Sequence, residues 1–196
     1  MSRKHGAWGF ERTMIETEQT VIIRESIENV WSFARDIRGW AELMPGMQEC
    51  EVIDDDNSRW ILKVGVGGLV RTVKVQVRVD QWDGPERVLF TYKLEGDPVQ
   101  GGGTYHATSV GPRETQVQLN VRVEGSGPMA PMWEAMGRPL LPQLAKAFAG
   151  QLRDRIEAAA GDGQAGAAAP ARPSGIFAWL RSVWNVIFGR GESKQA

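Results

Sequence analysis

The chain has 196 residues, 42% of them hydrophobic, and a net charge of −1. That is enough apolar material for one compact domain with appendages, and a near-neutral charge without a long basic stripe argues against a nucleic-acid-binding surface. The single cysteine, Cys50, excludes an internal disulfide framework, and the opening MSRKHGAWGF lacks an apolar signal core, so a cytoplasmic location is expected.

Residues 1–11, with Arg3, Lys4, His5 and two glycines, read as an N-terminal arm outside the core. Arg12 to Arg24 alternates and ends in VII, a first strand. Ser26 can cap a helix carrying Ile27, Val30, Trp31 and Phe33, and a second short helix over Asp36 to Leu43 stops before Pro45-Gly46. The pattern then changes to period two. Met47 to Asp54 and Arg59 to Val66 read as strands around the polar turn DDDNS. Leu69 to Trp82 is the clearest strand, with Val73, Val75, Val77 and Val79 on one face and Lys74, Gln76, Arg78 and Asp80 on the other. Arg87 to Leu94, Gln100 to Val110 and Thr115 to Glu124 follow after tight turns, which predicts an antiparallel meander.

From about Pro131 to Ala160, Leu140, Leu144, Phe148, Leu152 and Ile156 recur every four residues, joined by Leu141, Ala145 and Ala149. This is an amphipathic helix with a wide apolar face. Pro139 and Pro142 predict a break: a short piece to about Arg138, then the main helix with Pro139 near its first position. The fold class is therefore α+β: about seven antiparallel strands curling around a long C-terminal helix, with two short helices after the first strand. Because the inward strand residues are mostly valine and glycines are frequent, an apolar cavity is expected between sheet and helix.

The candidate ligand-binding wall comprises Trp40 and Met44, Val73, Val75 and Val77, Trp133 and Met136, and the helix face of Leu140, Leu141, Leu144 and Phe148. Arg71 has the strand parity of the valines, so it either points inward, where a buried cation needs a partner or a polar ligand group, or sits exposed beside the GVGG turn. Tyr92, Tyr105 and His106 could donate hydrogen bonds or protons inside the cavity, although tyrosines and histidines on strands are more often structural; no catalytic residue is assigned. GVGG at Gly65 to Gly68 lacks the third glycine and the following helix of a dinucleotide loop and reads as a hairpin turn. With only His5, His106 and one cysteine, no metal site is assigned, and Asp54, Asp55 and Asp56 read as a solvated turn.

The tail follows a linker, 161–174, whose small residues cannot build a core and which reaches roughly 20 Å as a flexible coil. In residues 175–189, Ile176, Phe177, Leu180, Val183, Trp184, Ile187 and Phe188 fit the spacing of one helical stripe, with Trp179, Arg181 and Arg190 beside it. Too short to span a bilayer, this amphipathic helix suits an interfacial membrane anchor; docking on a partner protein or folding back on the domain are the alternatives. A polar tail, 190–196, ends the chain.

The order of elements, the segment ENVWSFARD leading to MPG, the strand GGGTYHATSV and the stretch GPMAPMWEAMGRPLLPQLAKAFAGQLRDRI resemble the carbon monoxide dehydrogenase G-subunit family, within the START-like, polyketide-cyclase-like helix-grip superfamily (SRPBCC). The resemblance covers residues 12–160. It implies a hydrophobic ligand domain with no intrinsic cofactor, a quinone or other apolar ring-containing molecule as candidate ligand, and service to a molybdenum-containing hydroxylase by membrane recruitment or quinone delivery. The expected location is then peripheral, on the inner face of the cell membrane. Two other functions stay open: a cyclase or aromatase, which requires a polar inward constellation with perturbed pKa values, and a ligand-free membrane adaptor, which requires a filled core.

Overall fold

The computed structural model describes residues 12–66 and 69–164. In chain order the elements are β1 (Arg12–Ile23), α1 (Ile27–Ala34), α2 (Ile37–Glu42), β2 (Met47–Val52), β3 (Asn57–Val66), β4 (Leu69–Asp83), β5 (Arg87–Leu94), β6 (Val99–Gly111), β7 (Glu114–Ser126) and α3 (Ala130–Gln164). The arm 1–11, the expected tail helix 175–189 and the polar tail 190–196 lie outside the described residues, as does the expected linker beyond its first four residues, 161–164, which belong to α3. All seven strands form one antiparallel sheet in the order β1-β7-β6-β5-β4-β3-β2. Strands β2 to β7 are the expected meander. The first strand closes the far side by pairing with the last, from Arg12 opposite Ser126 to Ile23 opposite Thr115.

The local chemistry follows the pattern with two differences. Ser26 caps α1 as expected, its hydroxyl accepting from the Asn29 amide at 3.3 Å. On β4, Val73, Val75 and Val79 are buried, but a bulge between Val79 and Gln81 interrupts the alternation. The extra residue turns Trp82 back toward the core, where its ring meets Trp31 edge-on at 6.2 Å. The second difference is a correction: α3 does not break at Arg138. It runs continuously through Pro139 and Pro142 and past Ala160 to Gln164. Both prolines are exposed, as are Ala135 and Arg138, the residues whose carbonyls lose their donors. Those carbonyls fall on the wet side of the helix, so water replaces the missing bonds.

The buried stripe of α3, including Leu141, Ala145, Phe148, Ala149, Leu152 and Ile156, is the face that packs on the sheet. Its close backbone neighbours are β1 and β7, with α1 near one end. Leu152, Ile23, Val30, Val88 and Val117 are fully buried in this core, and burying a side chain of that kind contributes about 1.5–3 kcal/mol.

One carboxylate ties the helical insert to the sheet. Glu25 is 3% exposed; it accepts from Asn29 Nδ2 at 2.8 Å and from Arg113 at 2.9 Å, and its carbonyl accepts from the Thr115 hydroxyl at 2.8 Å. The Asn29 bond, then the Arg113 bond, hold its carboxyl below the ordinary value. A carboxyl depressed in the fold contributes stability above its unfolded pKa and loses it as pH falls through the folded one. Thermal melts should therefore show stability declining below about pH 4.5, less steeply in Glu25→Gln than in the wild type. Asp83 and Glu95, also held low, keep part of the acid limb. Identical acid limbs in the two proteins would remove Glu25 from this account.

Candidate functional site

The concave face of the sheet divides into two apolar halves. The β1, β7 and β6 side is covered by α3 and α1. The β2 to β5 side holds a second cluster of Trp60, Leu62, Val73 and Val75 with Ala41 of α2, bordered by half-buried Met44, Met47, Val64, Val77, Tyr92 and Leu94. Between the halves runs an apolar seam. At about 100° per residue, Trp133, Leu140 and Leu144 share the flank of α3 beside its buried stripe, with Met136 adjacent. That flank faces β4, because the Trp133 ring lies under the guanidinium of Arg71, 5.3 Å from its centre. Met136, Leu140 and Leu144 are only half-buried, as is Val77 across the seam, whereas Leu141 sits in the helix stripe that covers the sheet.

Where the sequence predicts an apolar cavity, the middle of the seam is filled by rings. Trp40 is 6.2 Å from Phe90, 5.9 Å from Tyr105 and 6.0 Å from Phe148, centre to centre. Glycine makes this possible. Gly103 pairs with Phe90 and Gly101 with Tyr92 across β5 and β6, and a Cβ on either would meet the partner's ring at 2.6 Å. The bare backbone is the floor on which the two rings lie. The GGG run therefore serves packing on the concave face. Phe90 was not among the expected wall residues; the signal that identifies it is its register opposite a glycine.

The polar groups of the seam have distinct fates. Arg71 resolves in favour of its exposed reading: its side chain is 48% exposed and ion-paired with Asp97 at 2.9 Å, while stacking on Trp133. Together these three residues form a bridge from β4 to the β5–β6 turn and α3 at one end of the seam. Tyr92 donates to the Arg122 carbonyl at 2.8 Å. Tyr105 is fully buried and its hydroxyl has no partner. Burial raises the pKa of both phenols, so they act as donors, not bases, near neutral pH. His106 is exposed, which corrects its expected place in the cavity: it follows Tyr105 on a strand, and consecutive side chains take opposite faces. Burial also pushes the half-buried Cys50 thiol up, away from thiolate chemistry.

An open recess of about 670 Å³ is lined mostly by side chains of the opposite face, among them Arg59, Gln76, Arg78, Lys93, Arg122 and Glu124, and also touches Val77, Tyr92 and Gly101. Its size is in the range of ligand sites, but its chemistry is that of a solvated sheet face. Arg59 is already paired with Glu51 and Glu95, both at 3.0 Å, and Arg122 lies 4.0 Å from Glu124. The seam is the better candidate, being apolar, concave and ringed by aromatic side chains.

A curved antiparallel sheet wrapped on one long helix, with two short helices after the first strand, is the START-like helix-grip fold. Residues 14–157 match the family described as polyketide cyclase / dehydrase and lipid transport, and the chain belongs to that family. No curated protein matches it. Among solved structures it is similar to a conserved protein from Geobacillus kaustophilus, at 18% identity and a TM-score of 0.64, over 74% of this chain and 97% of that one. A START superfamily protein from Mycobacterium smegmatis matches at 18% identity and a TM-score of 0.54, over 71% and 98%. The Zhui aromatase/cyclase of a Streptomyces species matches at 19% identity and a TM-score of 0.53, over 75% and 98%. These likenesses establish the fold. Among the described residues, no helix is long and apolar enough to cross a membrane.

Proposed function

We propose that this protein is a non-enzymatic carrier that holds an apolar, ring-containing molecule in the seam between α3 and the β3 to β5 half of the sheet. The observation that carries the reading is the seam itself: half-buried Val77, Tyr92, Leu140 and Leu144 flank an aromatic cluster whose one unpartnered phenol, Tyr105, is poised to donate. Quinones are the most concrete ligand class, since they combine a planar ring with an apolar chain. The further proposal is peripheral membrane association through residues 175–189 and service to a molybdenum-containing hydroxylase of the carbon monoxide dehydrogenase type. Its support is the resemblance of the helix segment GPMAPMWEAMGRPLLPQLAKAFAGQLRDRI to the G-subunit family of that enzyme.

A cyclase is the second reading, favoured by the family's description and by the inward Tyr92 and Tyr105. Against it, Tyr92 already spends its proton on Arg122 and neither phenol can serve as a base near neutral pH. Native mass spectrometry of the full chain, with solvent extraction and identification of what is released, decides among these. A carrier retains one apolar molecule unchanged in structure. Conversion of a poly-carbonyl chain into a ring would establish the cyclase, and a protein that takes up nothing but still pellets with vesicles would be an adaptor.

A further inference from the structure

Three buried donors around the aromatic cluster have no hydrogen-bond partner: the Tyr105 hydroxyl, Trp40 Nε1 and Gln151 Nε2. Tyr105 is 0% exposed, and its ring centre lies 5.9 Å from that of Trp40. Gln151 is on α3 one turn beyond Phe148, whose ring also meets Trp40. Buried polar groups in folded proteins are nearly always paired, because an unpaired one forfeits its hydration with no return. Here two of the unpaired atoms sit on neighbouring rings, Trp40 and Tyr105, the third is on the helix turn after Phe148, and each can donate. The indole N–H can only donate, a buried phenol keeps its proton and so can donate, and the Gln151 amide offers an NH₂ beside its carbonyl oxygen.

Resting on the carrier reading above, we propose that this donor set recognises a neutral carbonyl oxygen on a planar ring, so that the ligand binds ring first. Its carbonyl lies against Tyr105 and Trp40, and its apolar chain runs along Leu144 and Leu140 toward Arg71 and Trp133. The indole N–H and the phenol O–H favour a ligand that presents an acceptor oxygen over one of the same shape that presents none. It also disfavours carboxylates: among the described residues the only buried charged side chain is Glu25, already paired with Arg113, so an acid would meet no buried cation. The ring specificity comes from Phe90 and Phe148, whose rings stand near edge-on to Trp40 and offer faces for offset or edge contacts. Because the donor atoms are sealed from solvent, the ligand displaces one of these rings rather than water.

The test uses calorimetry on the full chain with two probes sharing one ring frame, menadione and methylnaphthalene. The wild type should bind menadione about tenfold more tightly, the worth of one recovered buried hydrogen bond. Tyr105→Phe should erase that preference while leaving methylnaphthalene affinity unchanged, and the unliganded variant should melt no lower than the wild type, since the lost hydroxyl had no partner. Gln151→Leu, a change on a different element, should narrow the preference too. Equal affinity of the wild type for both probes, an undiminished preference in Tyr105→Phe, or a large drop in its melting temperature would each overturn the proposal. Failure of the wild type to bind either probe would instead overturn the carrier reading on which it rests.

Discussion

Val77→Trp is expected to abolish uptake of an apolar ring-containing ligand while leaving the fold intact. Val77 belongs to the inward row of β4 but, unlike Val73, Val75 and Val79, it is only half-buried, because α3 packs on β1 and β7 and leaves the β4 side uncovered. A tryptophan there extends into the seam toward Leu140 and Leu144, where a ligand ring and chain would otherwise lie. Val75→Trp is the control. Val75 is 6% exposed and packs with Trp60 and Leu62, so the larger ring has no room, and overpacking typically costs about 1–3 kcal/mol. The pair of variants thus separates occlusion from destabilisation. Val77→Trp should show a near-wild-type melting temperature with at least a roughly tenfold loss of ligand affinity, whereas Val75→Trp should lose melting temperature. Unchanged ligand uptake by a folded Val77→Trp protein would place the ligand elsewhere.

The strands are legible in the sequence because each has one wet face, and period two survives in single side chains such as Val117, Leu119 and their polar neighbours. The partner of β1 is not legible. Alternation says which face a residue takes and nothing about which strand lies beside it, and the Ile23 to Thr115 pairing joins residues 92 positions apart. The unbroken α3 escapes the pattern for a related reason: a proline's cost depends on whether the freed carbonyl meets water, and that is set by which side of the helix the sheet occupies. At the site, parity places Val73 and Val75 correctly on the inner face. It also gives Arg71 an inward position, yet its ion pair with Asp97 depends on a turn brought close only by the curl of the sheet. The unpartnered state of Tyr105 and Trp40 is a property of the packed cluster, so no pattern in the chain announces it.

Deleting residues 175–196 is expected to release the protein from anionic lipid vesicles while leaving the domain's melting temperature nearly unchanged. The apolar stripe of the tail, from Ile176 through Trp184 to Phe188, follows a domain whose main core, from Ile23 to Ile156, is already closed by α1, α3 and the β1, β7 and β6 side of the sheet. Removing it should therefore cost the core little. Its affinity for a bilayer would come from burying that stripe at the headgroup boundary, with roughly 1 kcal/mol added per basic residue near an anionic surface. The apolar term scales with several large side chains, the electrostatic term with Arg181, Arg190 and their neighbours, so the first dominates. Trp184→Glu should therefore weaken vesicle co-sedimentation more than Arg181→Gln, and high salt should weaken it only in part. If salt alone releases the protein, binding is electrostatic and the stripe has another partner. If the truncated chain instead melts many degrees lower and still sediments with vesicles, the tail belongs to the domain and the membrane contact must be sought elsewhere, beginning with exposed Met129 and Met132 at the start of α3.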